Sequence, residues 1–341
     1  MSDSTSTELL PWHEEIFGQL RTLHAEARLA HAYLLQGQPG LGKLKLARHL
    51  ARYLLCQSPA AGQPCNHCRS CLLFKAGAHP DLCCVEPEEG KRIISVDQIR
   101  QTLDFMARTS GLGSCKVVIL NPAESMNINA ANALLKALEE PAQDTFVLLI
   151  SHQPALLLAT VRSRCQKLKL VTPDTALAKH WLESKNVGAG LSVLLNLADG
   201  APLRALALAD EDAQHERLVL HESLLQLLQK KISIMDAARD CASFSISNNI
   251  DGMMYCLMDI LRFNQSRGQV GLRDPEINTL ALHFNSRAAT RNLHRLRQQL
   301  LEARRAIVTN TNPNPLLLLE SLFFAWSDAA GCVGPGPETT T

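Results

Sequence analysis

The chain has 341 residues, enough for two or three domains with a sizeable core. Its net charge of +1 excludes a whole-molecule field that attracts nucleic acid or acidic lipid, and its 4% aromatic content argues against single-strand binding by base stacking. The Ser/Thr-rich start does not resemble a signal peptide, and the longest aliphatic runs are too short to span a bilayer. We therefore expect a cytoplasmic protein without a membrane partner, whose eleven cysteines are metal ligands or buried thiols rather than disulfides.

Strand and helix signals alternate from residue 9 to about residue 172. The predicted strands are 32–36, 81–86, 116–120, 145–151 and 165–171. The predicted helices are 14–28, 44–55, 95–108, 130–140 and 155–161. Such alternation indicates an α/β domain with a parallel sheet and helices on both faces.

The remaining chain has only helical signals. Three short helices are predicted in 173–210, and long leucine periodicities continue from 211 to 330. Residues 1–8 and 331–341 have the composition of flexible tails.

A glycine loop follows the first strand and precedes a helix, which is the setting of a phosphate-binding loop. The loop contains Gly37, Gly40, Gly42 and Lys43, whose backbone N–H groups and ammonium would surround a phosphate. Position 44 is Leu, although the motif requires a hydroxyl there to bind Mg²⁺.

The strand 116–120 should end in Asp and Glu in a P-loop ATPase, to hold Mg²⁺ and to polarise the attacking water. Asn121 and Pro122 occupy those places, and Glu124 is two residues out of register, so we expect it to face elsewhere. With Leu44, these departures predict a P-loop fold that no longer hydrolyses ATP. Binding of nucleotide without turnover remains open.

Four cysteines have the spacing C-x8-C-x2-C-x2-C, which suits a tetrahedral, structural Zn²⁺ site. They are Cys56, Cys65, Cys68 and Cys71. Chance clustering of buried thiols and an iron–sulfur cluster are the alternatives, although the x3-Cys-Pro of ferredoxins is missing. His67 and His79 are substitute ligands in principle.

Two arginines are candidates for contact with a nucleotide. Arg164, between the short helix and the last strand, is either a surface ion-pair residue or one that reaches a neighbouring subunit's ATP. Arg204 is either a helix-surface residue or points back at a nucleotide. A basic stripe predicts a solvated helix face or, less directly, a DNA or partner surface; it comprises Arg287, Arg291, Arg295, Arg304 and Arg305.

Several segments together resemble the bacterial clamp-loader ATPases of the AAA+ class. They are residues 28–37, the cysteine insertion, the run 130–141 with its Leu-Leu-Lys-Ala-Leu-Glu-Glu-Pro, and Ser163-Arg164-Cys165. The incomplete nucleotide motifs differ from the ATP-hydrolysing motor subunits and match instead the δ′ branch of this family. Residues 312–320 also resemble the C-terminal end of that branch.

The resemblance implies an AAA+ P-loop parallel-sheet domain at 9–172 with a zinc-binding insertion at 56–71. A three-helix lid at 173–210 and an all-α collar for oligomerisation at 211–330 would follow. It also implies that the chain is part of a five-subunit ring with motor subunits and a clamp-opening subunit. Through this complex, the chain would act on the sliding clamp and primed DNA.

Within that ring, the resemblance assigns Arg164 as an arginine finger in trans and the four cysteines as zinc ligands. We expect no ATPase activity from the chain alone, although it would be part of the DNA polymerase III holoenzyme. The alternatives are an active P-loop ATPase with unusual metal coordination, or a zinc-dependent DNA-binding module.

Overall fold

The computed structural model describes residues 8–112, 115–187, 190–266, 268–269, 271–274, 277–284, 287–308 and 314–331. Apart from Glu8 and Gly331, the predicted tails lie outside these residues, and this includes Cys332. Residues 309–313 also lie outside them. The chain forms two compact units. Unit 1 contains the chain up to Lys185 and Ala201–Arg204, and unit 2 contains Asn186–Gly200 and the chain from Ala205 on.

Unit 1 is built on a five-stranded parallel sheet with the order β2-β3-β4-β1-β5. Its strands are β1 Ala32–Gln36, β2 Leu82–Val85, β3 Lys116–Leu120, β4 Thr145–Ser151 and β5 Gln166–Lys169. The three central strands are apolar and almost wholly buried, which is typical of a parallel sheet covered on both faces. Lys167 and Lys169 lie on the edge strand β5, where lysine discourages pairing with another chain.

Seven helices of unit 1 accompany this sheet. They are α1 Glu14–Ala25, α2 Lys43–Leu55, α3 Arg69–Lys75, α4 Val96–Ala107, α5 Ile128–Glu139, α6 Ala159–Arg164 and α7 Thr175–Ser184. Ser95 begins α4 with a capping box in which its hydroxyl accepts from the N–H of Gln98, and Gln98 accepts in return from Ser95 N–H. Asn127 caps α5 similarly, so the helix begins two residues before the predicted start.

The helix predicted at 155–161 is wrong. The structure has a 3-10 turn at Pro154–Leu156 and then α6, separated by Leu157 and Leu158 with non-helical backbone angles. Leu157 is buried in this extended stretch, so core packing overrides its helix propensity. As a result, Arg164 is the last residue of α6 rather than part of a loop.

Among the described residues of unit 2, all regular secondary structure is helical. Its helices are α8 Leu191–Leu197, α9 Pro202–Leu208 (which starts in unit 1), α10 Glu211–Leu228, α11 Ile234–Ala242, α12 Ile246–Gln265, α13 Asn278–Leu282, α14 Arg287–Val308 and α15 Pro315–Ala329. Trp326 and Phe323 are fully buried in the common core of the later helices. No single helix in the described ranges is long and apolar enough to cross a membrane. The short helices α8 and α9, which meet at a bend, reach the required length and apolar composition only when they are taken together.

Buried Asp259 on α12 organises a polar connection in unit 2. Its carboxylate accepts from the backbone N–H groups of Arg273 and Asp274 at 2.7 and 3.1 Å, and from Arg262 Nη2 at 2.6 Å. Asp274 in turn pairs with Arg217 on α10 at 2.6 Å. Because these two buried carboxylates have charged or N–H partners, α10 and α12 are both held to the segment that contains Arg273 and Asp274.

Candidate functional site

The glycine loop lies between β1 and α2. Gly40 and Gly42 have φ angles of 82° and 77°, in the left-handed region that favours glycine. Lys43 begins α2, and only 3% of it is exposed. Its Nζ donates to the carbonyl oxygens of Gly37 at 2.5 Å and Gln38 at 2.8 Å. The ammonium group that would bind a phosphate therefore binds the backbone of its own loop.

Two aromatic side chains near the N-terminus bind the same loop. His13 Nε2 and Trp12 Nε1 both donate to the carbonyl oxygen of Leu41, at 2.7 and 3.0 Å. Burial lowers the pKa of His13 to about 4, so the ring is neutral at pH 7. Leu41 itself is fully buried. The loop is thus held from one side by Trp12 and by the neutral, buried ring of His13.

The start of α9 covers the loop from another side. Leu203 N–H donates to the carbonyl oxygen of Gly40 at 3.1 Å. A Cβ on Gly40 would lie 2.6 Å from the Cβ of Arg204, and one on Gly42 would lie 3.3 Å from Leu203 Cδ1. The backbone around Arg204 thus packs directly on the loop.

Glu124 lies in the turn after β3. Its Oε1 accepts from the backbone N–H groups of His152 and Gln153, at 2.8 and 3.1 Å, just beyond β4. Burial lowers the pKa of Lys43 to about 8, and the negative charge of Glu124 opposes this shift. Glu124 thus binds the backbone just beyond β4, and its charge also acts on Lys43.

The two positions that hold an acidic pair in an ATPase have structural contacts here. Asn121 Nδ2 donates to Glu86 Oε1 at 3.1 Å, and Asn121 N–H donates to the carbonyl oxygen of Val85 on the neighbouring strand. Pro122 follows through a cis peptide bond. Neither side chain offers a carboxylate to a metal ion or to a water molecule.

Arg164 lies away from the glycine loop, before β5. Its Nη1 donates to the carbonyl oxygen of Thr160 at 2.9 Å, and its Nη2 pairs with Glu139 Oε1 at the end of α5. A third of the Arg164 side chain is exposed to solvent. The guanidinium is therefore fixed by its own chain and still accessible from outside.

The four spaced cysteines come together at the end of α2 and the start of α3. Their sulfur atoms all lie within 4.8 Å of one another, and Cys56 and Cys68 are 4.0 Å apart. Four thiolates around Zn²⁺ at ~2.3 Å have sulfur–sulfur distances of ~3.8 Å, so the cluster fits a tetrahedral metal ion. No other such group of three or more ligands occurs among the described residues.

Hydrogen bonds to sulfur support the same arrangement. The N–H groups of Cys65, Cys68 and Cys71 donate to the sulfurs of Cys56, Cys65 and Cys68, at 3.3 to 3.4 Å. A hydrogen bond from Ser58 lowers the pKa of Cys65 to about 5, which favours the thiolate that binds metal.

The two histidines near the cluster have other partners. His79 Nδ1 accepts from Asp81 N–H at 3.0 Å, so its Nε2 carries the proton and donates to Ser70 Oγ at 2.8 Å. His67 Nδ1 donates to the carbonyl oxygen of Cys65 at 2.7 Å. Because His79 uses both ring nitrogens, it has none left for a metal ion, and the group that could hold one consists of the four cysteines.

Comparison with known proteins identifies the family. The family profile described as "DNA polymerase III, delta subunit" matches residues 12–174, and the profile "DNA polymerase III, delta subunit, C terminal" matches residues 211–328. DNA polymerase III subunit delta′ of Pseudomonas aeruginosa is 38% identical over 96% of this chain and 99% of its own length. The chain belongs to the δ′ family of DNA polymerase III subunits. The Yersinia pestis member is 34% identical over 94% of this chain and 95% of its own length.

Among solved structures, a DNA polymerase III gamma subunit-related protein from Thermotoga maritima is similar. Its TM-score is 0.42 at 21% identity, covering 92% of this chain and 99% of that chain. For this δ′ family member, the architecture expected from the sequence is confirmed: a parallel sheet with helices and a cysteine-rich insertion, followed by helices alone.

Sequence patterns did not find several residues that shape these sites. Trp12 and His13 contribute through contacts with a residue distant in sequence, and no motif marks them. Glu139 lies within the Leu-Leu-Lys-Ala-Leu-Glu-Glu-Pro run, but the run does not reveal its pairing with Arg164. The basic stripe stays undecided: Arg291, Arg295, Arg304 and Arg305 are exposed, Arg304 pairs with Asp251 at 3.5 Å, and the Arg287 side chain lies outside the described residues.

Proposed function

We propose that this δ′ family member is a non-hydrolysing subunit of the DNA polymerase III clamp loader, which helps to place the sliding clamp on primed DNA. It donates Arg164 to the ATP bound by the adjacent motor subunit. One observation carries the proposal: Lys43 is engaged by its own loop while the guanidinium of Arg164 remains accessible. A positive charge beside the γ-phosphate stabilises the transition state of phosphoryl transfer.

The partners in this proposal are the motor and clamp-opening subunits of a five-subunit ring. The sliding clamp and primed DNA are met through the complex, in the cytoplasm. The domain division of the proposal is the ATPase-like domain at 9–172, the lid at 173–210 and the collar at 211–330.

The first test compares the isolated chain with the assembled complex. We expect no ATP turnover by the chain alone. In the reconstituted complex, Arg164→Ala should depress DNA-stimulated ATP hydrolysis without changing the Tm of the subunit, because an arginine finger contributes ~10³-fold or more at the site it serves. Arg100→Ala is the matched control, since that exposed arginine pairs only with Asp97 on α4.

Two results would contradict this function. Normal ATP hydrolysis by the complex that contains Arg164→Ala would show that Arg164 does not act as an arginine finger. Robust turnover by the isolated chain, abolished by Lys43→Ala, would instead indicate an active ATPase with unusual metal coordination.

For the cysteine cluster we propose one structural Zn²⁺ per chain. A closed set of four thiolates leaves no open coordination position, so the metal would stabilise α2 and α3 rather than catalyse. Elemental analysis should find about one zinc per chain, and Cys68→Ser should lose it, while Cys84→Ser, outside the cluster, should retain it. Iron, or no metal in protein purified without chelator, would refute the proposal.

A further inference from the structure

The backbone that carries Arg164 is rigidly held. Val161, one turn earlier on α6, is fully buried, and Cys165, the next residue, is 7% exposed. These neighbours anchor the end of α6 in the core of unit 1. The position of the Arg164 Cα is therefore set by packing, and only the side chain is left to be oriented.

The side chain is oriented from two directions. The Thr160 carbonyl oxygen accepts from Nη1, and the Glu139 carboxylate accepts from Nη2. A guanidinium has five N–H donors in a fixed plane, so two contacts define the plane and leave donors for another ligand. A third of the side chain is exposed to solvent.

The backbone that carries Glu139 is equally well anchored. Leu138, the preceding residue, is buried, and its carbonyl oxygen accepts from His31 Nε2 at 3.0 Å. His31 lies immediately before β1, so this bond connects the end of α5 to the central part of the sheet. Glu140, the next residue, is exposed and ends the helix. Two well-fixed backbones thus meet in one ion pair.

We propose that Glu139 is the positioning residue for Arg164, holding the guanidinium in the orientation in which it meets a phosphate group of the neighbouring subunit. This inference rests on the proposed function, since it gives Glu139 a role only if Arg164 acts in trans. A free arginine side chain loses rotamer entropy when it is immobilised. Glu139 and the Thr160 carbonyl have already fixed this side chain, so less is lost when the phosphate binds.

The test uses the reconstituted complex and three variants of this chain. Glu139→Ala removes the acceptor, Glu139→Gln keeps an amide oxygen that can accept from Nη2, and Glu140→Ala is the matched control one residue away. We expect Glu139→Ala to lower kcat of DNA-stimulated ATP hydrolysis about tenfold, equivalent to about 1.4 kcal/mol, with KM for ATP unchanged within about twofold. Glu139→Gln and Glu140→Ala should each stay within about twofold of wild type.

The outcomes separate the inference from the function on which it rests. If Arg164→Ala has no effect, the proposed function fails. If Arg164→Ala is defective and Glu139→Ala is normal or faster, the finger stands and the positioning role is overturned. A loss that Glu139→Gln does not rescue would also overturn it, because it would assign the effect to charge rather than to the hydrogen bond. Because Glu139 is half exposed, the variants should fold, and a common Tm in isolated subunits would verify this.

Discussion

Lys43 has changed its partner compared with the lysine of a working phosphate-binding loop. It is nearly fully buried, donates to two carbonyl oxygens of the loop, and has its charge balanced at longer range by Glu124. Burial makes the charged form expensive, which is why the pKa is lowered to about 8. A lysine in this setting stabilises its own loop through these two hydrogen bonds.

This pKa predicts a pH-dependent stability. Between about pH 8 and 10.5 the unfolded chain binds more protons at Lys43 than the folded chain, so the free energy of unfolding rises with pH across that window. The Lys43→Met variant lacks the titrating group. From about pH 7 to pH 9.5 we expect wild type to gain up to about 2 kcal/mol relative to the variant, measured by urea denaturation. Parallel pH profiles for the two proteins would contradict a buried lysine with a lowered pKa.

The sequence was most informative where one residue type decides the chemistry. Leu44, Asn121 and Pro122 cannot perform the roles of a hydroxyl and two acids, and four cysteines at short spacings come together as expected. It did not indicate Trp12 or His13, because their roles depend on contacts across 28 residues or more. It marked the run that contains Glu139 but not the pairing of Glu139 with Arg164, which depends on how two helix ends meet. The partners of Glu124 were likewise not predicted, because register along a strand does not fix a side chain in the turn after it.

At the scale of elements, strands and long helices followed from apolar patterning. The three central strands begin and end at the predicted residues, because continuous burial leaves a clear signal. The edge strands β2 and β5 are shorter than predicted, since their ends lack a neighbour on one side. The break between the 3-10 turn and α6 depends on the burial of Leu157, which the local sequence does not reveal.

The contact between the glycine loop and α9 predicts that Gly40 is intolerant of a side chain. In Gly40→Ala the new Cβ would combine left-handed backbone strain, about 1–2 kcal/mol, with a clash 2.6 Å from Arg204 Cβ, about 1–3 kcal/mol more. Gly90→Ala is the control: its φ is 75° and nothing lies within 4 Å of the added Cβ, so only the strain applies. Urea denaturation should therefore show a larger loss for Gly40→Ala, and equal losses would mean that α9 does not pack on the loop.

At the scale of the whole molecule, the structure predicts that nucleotide does not stabilise this chain. A ligand that binds only the folded state raises the free energy of unfolding by RT ln(1 + [L]/Kd). We expect about 5 mM MgATP or MgADP to shift the Tm by less than about 1 °C, measured by scanning calorimetry. A shift of several degrees would show that the loop opens and releases Lys43, and the Lys43→Met variant would then be expected to lose that shift.

The parallel pairing of β1 with β5 places two features of unit 1 at opposite ends of these strands. The glycine loop follows the last residue of β1, while Arg164 precedes the first residue of β5, so the two lie at opposite ends of adjacent strands. In a row of such subunits, each would present an arginine on one side and an ATP site on the other. Under the proposed function, this chain supplies an arginine while its own Lys43 is engaged by its loop. It would therefore stand at the end of such a row, because no further subunit would need to supply an arginine to it.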